Sequence, residues 1–171
     1  MSHTLSTKNY LFKKLGLIFI LAFFYSCSPT IYVLDHKPIF AGKIYKNTLV
    51  DKTQKKIKNS DNNIKLLKEG VEQLTTYAFG FLIEESDRAM LDNYTIAKEL
   101  ESQAHDHFSN AVAYGDTAIS ILYDNYTEWV NDNNDKINIE PNKNDLKLFY
   151  WTAAAYGGAI SSSGGDPAWI I

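Results

Sequence analysis

Apolar residues recur at intervals of three and four over most of the chain beyond residue 60, which is the spacing of one face of an α-helix. The first series is Ile64, Leu67, Val71, Leu74, Ala78 and Phe81. The second is Ile96, Leu100, Ala104, Phe108, Ala111, Gly115, Ala118 and Leu122, and the third is Phe149, Ala153, Tyr156 and Ile160. No stretch of useful length alternates with the two-residue period of a strand. The sequence therefore predicts an all-α fold built of antiparallel helical hairpins.

Small polar residues indicate where these helices begin, because a short side chain can accept a hydrogen bond from the free N–H groups of a first turn. Ser60 or Asp61 is the predicted cap of the first helix. Thr95 is the predicted cap of the second helix, and Asn144 or Asp145 that of the third.

Two five-residue strings are nearly the same and lie 42 residues apart: AVAYG at 111–115 and AAAYG at 153–157. Small residues let a neighbouring helix approach closely, and the adjacent tyrosine fills the space beside it. Tetratricopeptide (TPR) arrays use this device with a repeat of about 34 residues. The longer interval predicts a TPR-like array with longer helices.

The first 26 residues have the features of a signal peptide. Lys8, Lys13 and Lys14 form a positive segment, and no acidic residue precedes Asp35. An apolar run of eleven residues, LGLIFILAFFY, follows at 15–25. Because a membrane span needs roughly 17–25 apolar residues, this run is too short to cross a bilayer and indicates a signal peptide over residues 1–26.

Cys27 is the only cysteine of the chain, and it follows the apolar run and the small residue Ser26. This order resembles the lipobox of bacterial lipoproteins, in which the cysteine is acylated and becomes the N-terminus. The alternative is a buried free thiol in an N-terminal anchor helix. A lone cysteine excludes an intrachain disulfide and a cysteine-pair metal site. We expect a lipidated cysteine and a tether over residues 27–60. By the same resemblance, Ser28 indicates the periplasmic side of the outer membrane.

Residues 27–171 carry 14 basic and 20 acidic side chains, a net charge of −6. This balance argues against a nucleic-acid partner, whose phosphates need a basic face. The length suits a single domain with a core of its own.

The sequence shows no catalytic constellation and no metal or cofactor site, so we expect a protein that is not an enzyme. His105 and His107 are two positions apart on a predicted helix. They therefore point about 200° apart and cannot bind one ion together. Both are expected to be solvated.

Three segments together carry a resemblance to a known family. They are TTYAFGFLIEESDRA at 75–89, AKELESQAHDHFSNAVAYGDTAI at 97–119 and LFYWTAAAYGGAISSSGGDP at 148–167. They resemble the TatT family, the lipoproteins associated with tripartite (TRAP) transporters. The third segment is the most specific, because Tyr150 to Ala154 keep their order and their distance to Asp166 and Pro167.

The resemblance implies a non-enzymatic periplasmic lipoprotein with TPR-like hairpins over residues 61–171. It implies a homotrimer that pairs with the solute-binding protein of a TRAP transporter and encloses an apolar cleft. Family members continue beyond this point with further hairpins. Asp166 and Pro167 form a helix-start signal four residues before the last residue, so we expect a C-terminally truncated form of the family domain.

Tyr114, Trp151 and Tyr156 have two interpretations. As helix-packing core they are ordinary, and as the wall of the cleft they would bind a small apolar ligand. The alternative function is a TPR-like outer-membrane scaffold that binds another protein and no small ligand.

Overall fold

The computed structural model describes residues 37–131 and 138–169, so the predicted signal peptide and Cys27 lie outside the described residues. The described secondary structure is entirely helical and consists of five helices packed antiparallel. The all-α prediction is confirmed. None of the described helices is both long enough and apolar enough to cross a membrane.

The helices have the following bounds. Helix α1 consists of Pro38–Tyr45, a π-helical stretch Lys46–Val50 and Asp51–Lys58. Helix α2 consists of Ile64–Tyr77, a π-helical stretch Ala78–Ile83 and Glu84–Ala89. Helix α3 is Tyr94–Leu122, α4 is Tyr126–Asn131 and α5 is Leu146–Ser162, followed by a 3₁₀ turn at Pro167–Trp169. The chain divides after Ala41 into two compact units, and the described part of the first is residues 37–41.

Helix α1 occupies much of the segment for which the sequence predicts only a tether. Its buried positions are Gly42, Val50 and Thr53, which do not read as an apolar series at helical spacing. The π-helical stretch changes the residues per turn and so interrupts the pattern. Val50 is nonetheless fully buried in the main core, and Gly42 lies directly against the ring of Phe81.

The caps of α2 and α3 are asparagines. The side-chain oxygen of Asn63 accepts a hydrogen bond from the Leu66 N–H at 3.1 Å, which opens α2. Asn93 accepts from the Ile96 N–H in the same way, also at 3.1 Å, and opens α3. The predictions of Ser60 or Asp61 and of Thr95 are therefore wrong, each by two or three positions.

Helix α3 is the central helix and packs against both α2 and α5. The main core cluster joins α1, α2, α3 and α5 around Leu74, Phe108 and Ala155. The second core cluster joins α2, α3, α4 and α5 around Val71, Ile119, Tyr126 and Leu148. In the main core cluster the large Phe108 side chain of α3 lies against Gly158 of α5.

The last described turn begins as the sequence predicts. Asp166 Oδ1 accepts a hydrogen bond from the Ala168 N–H at 3.0 Å. The Trp169 ring then packs edge-on against the rings of His105 and Tyr156, with centroids 5.4 and 6.4 Å away.

Candidate functional site

A groove of about 570 Å³ lies between α2 and the beginning of α5. It is lined by Ile64, Lys65, Lys68, Glu69, Glu72, Asn144, Lys147, Leu148 and Trp151. The volume falls in the range of small-molecule sites, roughly 300–1,000 Å³. We treat this α2–α5 groove as the candidate site.

The apolar part of the groove is fixed by the packing of α5 on α2. Leu148 is buried in the second core cluster together with Leu67. Trp151 lies one turn further along α5, on the same face as Leu148, and is half-buried against that cluster. Its ring meets the Tyr150 ring edge-on, with centroids 5.3 Å apart. The helical spacing of three residues therefore places an indole ring beside the buried leucine.

Two ion pairs between α2 and the α5 region form the polar rim. Lys68 Nζ is 2.6 Å from Asp145 Oδ1, and Lys147 Nζ is 2.7 Å from Glu72 Oε2. Asp145 stands at the N-cap position of α5, but its carboxylate caps no N–H there. It accepts from Lys68 and from the Tyr123 hydroxyl at 3.1 Å instead. The hydrogen bond from Lys68 lowers the pKa of Asp145, and that from Tyr123 adds to the effect.

The three residues predicted to share a cleft lie in different surroundings. Trp151 lines the α2–α5 groove. Tyr114 is half-buried between the two core clusters, beside Gly70. Tyr156 packs against the main core cluster. Its hydroxyl donates to Asp116 Oδ2 at 2.6 Å. Of the three, Trp151 is the one that faces the groove.

Asp116 joins three helices through two tyrosine hydroxyls. Tyr126 of α4 donates to Oδ1 at 2.6 Å, while Tyr156 of α5 donates to Oδ2. Burial raises the pKa of both tyrosines, and the hydrogen bond to the carboxylate raises it further. Both hydroxyls therefore stay protonated donors at physiological pH. The sequence does not reveal this cluster, since Asp116 reads as a solvated residue of an amphipathic helix.

The two histidines of α3 are half-buried and contact protein, so the expectation of solvated side chains holds only in part. His105 Nδ1 lies 3.1 Å from the Ala159 carbonyl oxygen, to which it can donate. His107 packs edge-on against the Tyr77 ring, with centroids 5.1 Å apart. Burial lowers the pKa of His107, as does the nearby Lys46 ammonium. Within residues 37–131 and 138–169, no three His, Cys, Asp or Glu side chains come together as a metal site.

The sequence model that describes the TRAP transporter T-component matches residues 56–171, more than half of the chain. The chain belongs to the TRAP transporter T-component family. No curated protein and no solved structure matches it. The T-components are transport accessory proteins without catalysis, and their TPR-like architecture agrees with the helical packing described above. Membership implies association with a TRAP transporter.

Proposed function

We propose that this T-component is a lipid-anchored periplasmic accessory that binds the solute-binding protein of its transporter and holds a small ligand in the α2–α5 groove. The observation that carries the ligand proposal is the groove itself, with an indole ring beside charged rim residues. By family resemblance the protein is a homotrimer.

The groove chemistry favours a ligand with an apolar body and polar ends. Ile64, Leu148 and Trp151 offer apolar surface against which such a body loses contact with water. The ion pairs of Lys68 and Lys147 lie at the rim, where they remain near solvent. Three of the nine lining residues are apolar and six are polar or charged, so polar ends of the ligand would find several partners around one apolar wall.

Replacement of Trp151 by alanine is expected to remove a ligand that co-purifies with the wild type, because the apolar wall is lost. Native mass spectrometry of the full chain would show the ligand as an added mass. Trp129→Ala is the matched control, since Trp129 lies on α4 and does not line the groove. Equal retention by both variants would contradict the groove as the binding site.

The partner and the oligomer are tested in the same preparation. We expect the solute-binding protein encoded beside this gene to co-purify with the full chain, and the native mass to correspond to three copies. A monomer that captures no solute-binding protein would count against both proposals.

The anchor proposal rests on the positive segment, the short apolar run and the single cysteine of the N-terminus. Cys27→Ala is expected to accumulate as an unprocessed precursor and to lose all incorporation of labelled palmitate. Cys27→Ser is expected to behave like Cys27→Ala, because serine keeps the size of the side chain but lacks the thiol. Equal label in wild type and variants would rule out acylation at Cys27 and, with it, the outer-membrane location.

The alternative is a scaffold that binds a protein partner and no small ligand. The observation in its favour is the exposure of Leu146 and Tyr150 on the same helix as Trp151. A preparation that is free of ligand by mass and still captures the solute-binding protein, but loses it in Tyr150→Ala, would favour the scaffold.

A further inference from the structure

The lysines of this chain are unevenly distributed. Between Lys37 and Lys58 there are seven lysines and one acidic residue, Asp51, so this segment has a net charge of +6. Residues 59–171 carry 7 basic and 18 acidic side chains, a net charge of −11. Helix α1 is therefore a basic helix joined to an acidic body.

The outer face of α1 combines these lysines with apolar side chains. In residues 42–58 the buried positions face the core, whereas Ile44 and Leu49 are 46% and 41% exposed. The exposed lysines of the same segment are Lys43, Lys52, Lys55, Lys56 and Lys58. One turn earlier, Ile39 and Phe40 are also exposed. We call Ile44, Leu49 and the exposed lysines of residues 42–58 the basic face.

Three of these lysines meet at a second groove. Lys52, Lys55 and Lys56 line a space of about 480 Å³ together with Asn59 and Leu66. Among the described residues, no carboxylate forms an ion pair with these three lysines, whereas Lys46 pairs with Asp51 at 2.7 Å. Their charge is thus available to an anionic partner.

The position of α1 in the chain indicates which partner this is. Pro38, the first residue of α1, is eleven residues after Cys27, the proposed site of acylation. Since an extended chain spans at most about 3.3–3.6 Å per residue, α1 begins within about 40 Å of the acyl chains. A phospholipid surface is therefore in reach whenever the anchor is inserted.

We propose that the basic face docks on the anionic phospholipid surface to which the Cys27 anchor attaches the chain. Exposed lysines are attracted to anionic lipid headgroups, and the apolar side chains between them enter the headgroup boundary. The acidic body is repelled by the same surface and is directed away from it. The basic face adds a second contact with this surface to that of the acylated cysteine. The location of the docked helix rests on the proposed anchor.

A fluorophore that responds to polarity tests the docking when attached to Ile44→Cys in the full chain. The protein is reconstituted into vesicles of phosphatidylcholine alone and into vesicles that also contain phosphatidylglycerol. We expect a blue shift, and quenching by lipids brominated on their acyl chains, only with phosphatidylglycerol. The same probe at Ile121→Cys is the control. It should show no shift and no quenching, because Ile121 is exposed on α3, outside the basic face.

The charge contribution is measured with Lys55→Gln combined with Lys56→Gln in the Ile44→Cys protein. Each neutralised lysine is expected to lower the ratio of docked to undocked helix by about fivefold. The matched control is Lys98→Gln with Lys143→Gln, two exposed lysines of the acidic body, which should change nothing. Added salt should weaken the docking of the wild type and have less effect on the lysine variant.

The Cys27→Ala precursor separates this proposal from the anchor proposal, since it keeps the apolar run at 15–25. If its Ile44 probe responds as in the acylated protein, the docking stands even where palmitate labelling fails. A probe at Ile44 that reports water on both kinds of vesicle, or equal signals from Ile44 and Ile121, overturns the proposal. The basic face would then be assigned to an acidic protein partner.

Discussion

Replacement of Phe108 by alanine is expected to lower the free energy of unfolding by about 3–5 kcal/mol. Phe108 is completely buried in the main core cluster. Its ring contacts the Phe79 ring, with centroids 4.5 Å apart, and lies against the backbone of Gly158 on α5. Alanine leaves a cavity where α2, α3 and α5 meet. Since a domain of this size has a stability of only about 5–15 kcal/mol, the loss is a large share of the total.

Urea denaturation followed by far-UV circular dichroism measures this loss as a lower transition midpoint at unchanged slope. Phe79→Ala is the matched control: the same atoms are removed from the contacting ring, but Phe79 is 40% exposed. Its loss should be less than half as large, because less apolar surface leaves water on folding. Phe108→Leu should cost about 1.5 kcal/mol or less. Equal losses for Phe79→Ala and Phe108→Ala would contradict the assignment of Phe108 to the core.

The contact between α3 and α5 also shows what the AVAYG and AAAYG strings mean. Gly115, at the end of the first string, lies directly against the Thr152 side chain, and a Cβ atom there would overlap it. Gly157, at the same place in the second string, faces open space. The close approach on α5 is at Gly158, beneath Phe108. The two similar strings therefore mark two helices that pack together, but the second string ends one residue before the close contact on α5.

Helices α2 and α3 could be predicted because each buries most of one regular apolar face. Leu67, Val71 and Leu74 are all buried at the spacing on which the prediction rests. Helix α5 was predicted as a helix, but its buried residues, Leu148, Thr152, Ala155 and Ala159, each lie one position before the predicted series. Helix α1 has no regular apolar face, because its buried positions are Gly42, Val50 and Thr53, of which Gly42 contributes contact without a side chain. In such a segment the tertiary partners, above all Phe81, decide the structure.

The cap positions could not be read from the sequence, because several small polar residues precede each helix. Before α2 these are Ser60, Asp61, Asn62 and Asn63. Asn62 adopts a positive φ of 48°, a left-handed conformation that asparagine tolerates better than most residues. This turn makes Asn63 the first residue able to cap. Ser60 instead donates to the Ile57 carbonyl oxygen at the end of α1.

The sequence offered Trp151 as a candidate site residue, but its position beside α2 does not follow from the predicted apolar series of α5. That series runs through Phe149, Ala153, Tyr156 and Ile160, whereas Leu148 and Trp151 line the groove. The polar rim could not be predicted from the sequence, because Lys68 pairs with Asp145, which is 77 residues away in the chain. Long-range pairs of this kind are set by the packing of whole helices.

Removal of the Asp116 carboxylate is the second large effect, and we expect Asp116→Ala to cost roughly 2–4 kcal/mol. A buried hydroxyl that loses its acceptor costs about 1–3 kcal/mol. Tyr126 is almost completely buried and should show the full cost, whereas Tyr156 is half-buried and water can replace part of its bond. The variant therefore weakens the attachment of α4 and α5 to α3 at one point.

A double-mutant cycle measures this coupling. In a Tyr126→Phe, Tyr156→Phe background no hydroxyl remains to be stranded, so Asp116→Ala should cost less than about 1 kcal/mol. Asp116→Asn keeps one acceptor oxygen, so its cost should lie between the costs of Asp116→Ala in the wild type and in the double-phenylalanine background. The pKa of both tyrosines is raised on folding, so their contribution is complete below the ordinary tyrosine pKa of about 10 and is lost only as the pH rises above it. The cost of Asp116→Ala should accordingly be the same at pH 7 and pH 8. An equal cost in both backgrounds would show that the tyrosine hydroxyls do not depend on Asp116.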